Sequence, residues 1–227
     1  RRQRQMCIRD STILDTDLYK FTTSYAYIKL FPYAIGTFSF KDRDGTEYSD
    51  EFVERLRTEI SQLSHVALTE KELEYMIKNC RFLPRVYWEW LSSFRFQPEK
   101  IEIRLDENRQ LHIEVNDYLY KATLYEVPLL AIVSEIKNQS SGNVANLEDI
   151  LYKLSEKTEL SNKHQLLFSE FGTRRRFSFD VQDQVIEHLK QTAHYCIGTS
   201  NCHFAMKYGM KPMGTHPHES VSYTHLR

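Results

Sequence analysis

The sequence predicts an α/β protein, and three observations carry that prediction. In the last third of the chain, short apolar runs alternate with helical stretches: Leu166-Leu167-Phe168, Tyr195-Cys196-Ile197 and Lys211-Pro212-Met213 are separated by two segments of helical pattern. Strand–helix–strand connections of this length build parallel sheets with right-handed crossovers. In the first half, Ile101, Ile103 and Leu105, then Leu111, Ile113 and Val115, alternate with charged residues, the period of half-buried strands. Each C-terminal run also ends in a polar turn. These turns are Phe168-Ser169-Glu170-Phe171-Gly172-Thr173-Arg174-Arg175-Arg176, Gly198-Thr199-Ser200-Asn201 and Gly214-Thr215-His216-Pro217-His218-Glu219. In a parallel sheet such turns gather at the C-terminal strand ends. Together they offer arginines, small residues that expose backbone N–H groups, and a nucleophile, which suits an enzyme acting on phosphorylated or carboxylated small molecules.

The elements follow in order. Leu14, Leu18, Phe21, Tyr25 and Ile28 repeat with helical period, so a helix is expected over residues 12–29, stopped by Pro32. Phe38-Ser39-Phe40 reads as a strand and the segment around Gly45 as a polar turn. Phe52, Val53, Leu56, Ile60 and Leu63 share one helical face. Thr69 and Glu72 form a capping box for the next helix, and Pro84 opens a short one carrying Tyr87, Trp88 and Leu91. Asp106-Glu107-Asn108-Arg109 is a hairpin loop between the two alternating strands. The run from Val127 to Val133 is apolar on nearly all sides, so it reads as a buried helix with Pro128 in its first turn. Such a helix is expected to cross between two subdomains. A charged helix follows over residues 147–159. Ser178 caps a helix with Val181, Val185 and Leu189 on one face; Asn201 caps a shorter one ending at Gly209.

Composition narrows the function classes. The chain has 227 residues, 41% hydrophobic, with 30 basic against 31 acidic side chains and a formal net charge of −1. That balance gives no electrostatic reason to expect nucleic acid or an anionic membrane as partner. No apolar run approaches the roughly 18 residues of a membrane span, and no secretory signal is visible. Cys7, Cys80, Cys196 and Cys202 lack paired metal-ligand spacing, which favours reduced, cytoplasmic cysteines and no metal site. The triple-arginine run lacks the interleaved aromatics of a nucleic-acid surface.

Asp15-Thr16-Asp17-Leu18-Tyr19-Lys20, Tyr125-Glu126-Val127-Pro128-Leu129-Leu130, the Phe-Gly-Thr-Arg-Arg-Arg run, Gly-Thr-Ser-Asn and Gly-Thr-x-x-His-Glu, in that order, resemble nicotinate phosphoribosyltransferase over residues 11–219. The resemblance implies an N-terminal α/β domain (11–125) followed by the opening strands of an irregular, truncated β/α barrel (126–219). It implies formation of nicotinate mononucleotide and pyrophosphate from nicotinate and phosphoribosyl pyrophosphate, with coupled ATP hydrolysis and Mg2+, in a homodimer. By the same resemblance His218 is the histidine phosphorylated by ATP, His216 is a bystander, and Arg174 binds nicotinate. Phe171 and a Tyr19 supplied by the neighbouring subunit sandwich the pyridine ring, where offset stacking on both faces is favourable. Gly172, Thr199 and Ser200 complete the substrate site, and Arg175 or Arg176 reaches a phosphate. Ser200 bears on specificity. The sister family that uses nicotinamide has an aspartate there, which would repel a substrate carboxylate, whereas serine is neutral and can donate.

Both ends depart from the family. Residues 1–10 and 220–227 resemble translated adaptor sequence and are expected to pack against nothing. The family's Asp-Ser-Gly loop and Gly-rich 5′-phosphate loop have no match here, so the isolated chain is expected to be an inactive fragment. Arg174, Ser200 and His218 are expected to converge from three successive strand ends.

Overall fold

The computed structural model describes residues 12–42 and 45–214. Its elements are α1 (Leu18–Leu30), β1 (Ile35–Ser39), α2 (Asp50–Ser61), α3 (Glu70–Asn79), α4 (Arg85–Ser93), β2 (Ile101–Leu105), β3 (Leu111–Tyr118), α5 (Leu119–Ser140), α6 (Leu147–His164), β4 (Phe168–Glu170), α7 (Phe179–Thr192), β5 (Cys196–Thr199) and α8 (Cys202–Tyr208).

β1, β3 and β2 form an antiparallel sheet in that order, with Ile103 opposite Ile113 and Phe38 opposite Val115. Alternation puts Ile101, Ile103, Leu111, Ile113 and Val115 inside and leaves Glu102, Arg104 and Asn116 in solvent, the pattern of a sheet covered on one face. α5 lies across it and also packs on α1, α2 and the 3-10 turn Thr173–Arg175. The main core joins Phe21, Leu56, Met76, Trp88, Ile113, Tyr125 and Leu129, and reaches Cys202 at the start of α8. A smaller core of Ile186, Phe204 and Met210 lies under α7 and α8. β4 and β5 pair in parallel, and a parallel bridge from Thr199 to Pro212 adds a third position. The strand–helix–strand pattern is therefore present, whereas a closed barrel is not formed by the described residues.

Local chemistry fixes several boundaries as expected. Thr69 and Glu72 complete the capping box; Ser178 and Asn201 accept from Val181 N and Phe204 N. Gly209 caps α8 in the left-handed region at φ 60°, where a side chain would be strained.

Other boundaries differ: α6 runs on to His164 rather than residue 159, and β1 is Ile35–Ser39 rather than residues 38–40. α1 starts at Leu18, not at residue 12, because residues 14–18 bond to the turn after β5 and the start of α8: Leu18 N donates to Ser200 O (2.8 Å), Cys202 N to Thr16 O (3.1 Å) and His203 N to Leu14 O (2.9 Å). α5 begins eight residues before Val127, so Pro128 sits in its interior. A proline there removes one helical hydrogen bond, but burial of Leu124, Tyr125, Val127, Leu129 and Ile132 against several elements holds the helix continuous. This helix runs through the boundary expected at residue 125. Leu166 and Leu167 are exposed and precede β4 rather than forming it.

Candidate functional site

The turn after β4 and the turn after β5 are tied together by Glu170. Its Oε1 accepts from Gly172 N (2.5 Å), its Oε2 from Thr199 Oγ1 (2.6 Å) and its carbonyl from Ser200 N (2.9 Å). A Cβ on Gly172 would lie 2.6 Å from that Oε1, so glycine lets the carboxylate fold back over the turn. Thr199 is buried and spends its hydroxyl on Glu170; its contribution is to hold the turn.

The N-terminal segment completes the site. Asp15 and Asp17, two residues apart in the turn that leads into α1 and lies against the loop after β5, each take a different arginine of the triple run. Asp15 Oδ1 pairs with Arg176 Nη1 (2.8 Å) and accepts from Asn201 Nδ2 (2.8 Å). Asp17 Oδ2 lies 3.5 Å from Arg174 Nε, and its Oδ1 accepts from Ser200 Oγ (2.5 Å). Successive residues on one turn cannot share a direction, and the two acids sort them. The Arg176 side chain is 8% exposed, beside Gln182 and with its guanidinium over the Phe179 ring. It borders a cavity between α2 and α5 that takes in Asp15 and Glu135 but not Tyr19, Arg174 or Ser200. Arg175 is exposed.

Arg174 faces the other way and is 45% exposed. Its Nη1 donates to Glu126 Oε1 of α5 (2.9 Å), and its guanidinium lies 5.8 Å from the centre of the Tyr19 ring of the same chain. Glu126 Oε2 pairs closely with Lys20 Nζ, a side chain only 1% exposed. Phe171, at the head of the same turn, is exposed. Of the residues expected to bind substrate, Tyr19, Arg174 and Ser200 are thus gathered around Asp17. Phe171 and Gly172 open the Arg174 turn, and Thr199 lies beneath it. His218 lies outside the described residues, as do His216 and both terminal segments.

Electrostatics follow from this packing. Burial pushes the Asp17 carboxyl above its ordinary range, against the opposing effects of the Ser200 bond and the Arg174 charge. Burial acts the same way on Asp15, but the charge and hydrogen bond of Arg176, with the Asn201 bond, more than offset it and hold that carboxyl low. For Arg174 burial disfavours the charge, yet Tyr19, Glu126 and Asp17 outweigh it and raise the pKa. Arg174 is therefore a fixed cation at an open surface, able to fork onto a carboxylate or phosphate.

Sequence reasoning did not assign roles to Asp15, Asp17, Lys20, Glu126 or Glu170. Four of them stand in the first two motifs of the resemblance and the fifth is the third residue of the arginine motif, so the signal was their place within the motifs. Their partners could not be read from spacing.

Comparison with known proteins gives the family. Residues 14–134 match the nicotinate phosphoribosyltransferase N-terminal domain, and residues 166–225 match the nicotinate phosphoribosyltransferase family; the second match runs past Glu219 into the stretch expected to lack a counterpart. A nicotinate phosphoribosyltransferase of Methanosarcina acetivorans is 40% identical over 94% of this chain and 56% of its own length; one from Methanosarcina mazei is 39% identical over 94% and 57%. The crystal structure of nicotinate phosphoribosyltransferase from Porphyromonas gingivalis superposes with a TM-score of 0.91 at 43% identity, covering 93% of this chain and 55% of that one. The chain spans about half the length of the relatives it matches. With the N-terminal domain matched over more than half of its residues, and its fold superposing on a solved member, the chain belongs to the nicotinate phosphoribosyltransferase family.

Proposed function

We propose that the protein containing this chain joins nicotinate to phosphoribosyl pyrophosphate, forming nicotinate mononucleotide and pyrophosphate, with ATP hydrolysis coupled through His218. Family membership supports the reaction. The observation that carries the substrate class is Arg174, a half-exposed guanidinium held by two acids beside Tyr19. Its charge takes the pyridine carboxylate while the exposed Phe171 offers a ring contact; Tyr19 of the same chain is 6% exposed beneath the guanidinium and supports Arg174 instead. Discrimination against the amide then rests on Arg174 rather than on Ser200. The Ser200 hydroxyl hydrogen is spent on Asp17 and the residue is fully buried, so it offers no donor to a substrate.

Arg175, exposed on the same turn, is the better of the two remaining arginines for a phosphate, since Arg176 is buried against Asp15. A neutral imidazole is a competent nucleophile near pH 7, which suits His218 for phosphate capture. Among the described residues no group of three His, Cys, Asp or Glu could hold a metal ion. Magnesium enters this reading as the companion of the phosphates, whose charge it would neutralise. No helix of the described residues is long and apolar enough to cross a membrane, and the reading places a homodimer in the cytoplasm.

The test is a protein in which this chain is completed to the length of its relatives, assayed with nicotinate or nicotinamide, phosphoribosyl pyrophosphate, magnesium and ATP. Mononucleotide should form from nicotinate, and His218→Ala should lose ATP-dependent phosphate incorporation while keeping slow transfer. Preference for nicotinamide, or undiminished phosphate incorporation in the variant, would overturn the reading. The isolated 227-residue chain should show no turnover, because transfer needs ribose held in register with the ring nitrogen.

A further inference from the structure

Two motif residues, Asp17 and Glu126, make no substrate contact in the reading above, yet both touch Arg174. Arginine carries about 2 kcal/mol of side-chain rotamer entropy, so a receptor built on a half-exposed arginine is weak unless something fixes the guanidinium beforehand. Here it is fixed on two edges by acids from elements distant in sequence. Asp17, just before α1, lies against Nε; Glu126, from α5, accepts from Nη1. Nη2 has no hydrogen bond among the described residues.

Glu126 is itself aimed. One carboxylate oxygen is held by Lys20, whose ammonium is buried, reaches Thr123 Oγ1 at 3.5 Å and lies 4.8 Å from the Tyr19 ring centre; the other oxygen is thereby turned to Arg174. A lysine 1% exposed is poorly placed to meet a ligand. It can hold the acid that holds the arginine. Lys20, Glu126, Arg174 and Asp17 form one chain of alternating charge that meets solvent at Arg174.

We propose that Glu126 is a positioning residue: anchored by Lys20, it sets Arg174 edge-on so that the remaining guanidinium N–H groups meet the substrate carboxylate already oriented. This rests on the functional reading above. Its signature is selective, because preorganisation of Arg174 acts on the pyridine acid and not on phosphoribosyl pyrophosphate.

The test uses the length-completed protein and measures kcat and KM for nicotinate and for phosphoribosyl pyrophosphate separately. Glu126→Ala should raise the nicotinate KM by about tenfold, with kcat and the second KM changed less than about twofold. Glu126→Gln keeps an acceptor for Arg174 and should hold the nicotinate KM within about threefold of wild type. If Glu126→Ala leaves Lys20 uncompensated and does not fold, the neutral pair Lys20→Met with Glu126→Leu removes both charges together and should show the same selective rise. A folded Glu126→Ala or double variant with unchanged nicotinate KM overturns the proposal. So does a parallel change in kcat and both KM values, which marks general damage. A wild-type protein that ignores nicotinate would remove the functional reading, and this inference with it; that outcome is distinct from failure in the variants alone.

Discussion

The Asp15–Arg176 pair gives the sharpest stability prediction. Both side chains are below 10% exposed, at 9% and 8%, and the charged oxygen and nitrogen are 2.8 Å apart. Asp15→Ala removes that charge-assisted bond and the one from Asn201, and it leaves Arg176 buried with Gln182 at 3.4 Å as its nearest remaining acceptor. Charge-assisted bonds are worth about 1.5–3 kcal/mol each, and breaking a buried pair from one side costs about 3–5 kcal/mol; the latter figure applies because the orphaned charge stays in the protein. Arg176→Ala strands Asp15 in the same way and should cost a similar amount. Asp15→Leu with Arg176→Leu removes both charges and should recover most of the loss. The assay is urea denaturation followed by far-UV circular dichroism and by fluorescence of Trp88 and Trp90, with Asp15→Ala combined with Arg176→Ala as the double variant that closes a double-mutant cycle. A loss below about 1 kcal/mol in Asp15→Ala, or single costs that simply add in the double variant, would show that the pair is not the anchor described.

Three further expectations follow from named contacts. Gly198→Ala would set a Cβ 2.1 Å from Lys211 O and 2.6 Å from Met213 Cγ. It should cost about 1–3 kcal/mol by forcing the Pro212 bridge apart, and an unchanged melting temperature would refute it. Trp88→Ala empties a fully buried site packed edge-on to Phe21 and should cost about 3–5 kcal/mol, read as a shift in the urea midpoint at constant slope. The two motif acids should have opposite pH signatures. The raised Asp17 carboxyl binds its proton more tightly folded than unfolded, so its contribution falls as pH rises from the ordinary carboxylate value through the folded one. The lowered Asp15 carboxyl stabilises above the ordinary value, and that contribution is lost as pH falls through its folded value. Stability–pH curves of Asp17→Asn and Asp15→Asn should differ from wild type in these opposite senses; equal displacement in one sense would contradict the assignment.

What the sequence made legible was local. The Thr69 capping box, the Asn201 cap, the Gly209 terminus and the hairpin at residues 106–109 depend on groups within four residues of each other, and each is as expected. What it hid was decided by distant partners. Asp17 does not cap α1 with its side chain, because its carboxylate is spent on Ser200, 183 residues on. Pro128 does not start α5, since burial on several sides outweighs one lost backbone bond. The site was legible as a list of motifs but not as a network. Arg174 meets Glu126 across 48 residues and Arg176 meets Asp15 across 161, and nothing in a run of three arginines says which one is buried. The parallel sheet was foreseen from alternation of strand and helix, while its short extent, with β4 starting only at Phe168, reflects two leucines left exposed.

The central claim is that Arg174, fixed by Asp17 and Glu126 beside Tyr19, is the receptor for a pyridine carboxylate. A crystal structure of the length-completed protein soaked with nicotinate tests it most directly. The account predicts a carboxylate oxygen about 2.7–2.9 Å from an Arg174 guanidinium nitrogen, with the Glu126 contact to Nη1 retained and the ring against Phe171. Nicotinate bound with its carboxylate away from Arg174, while Arg174 keeps only its two protein acids, would contradict it.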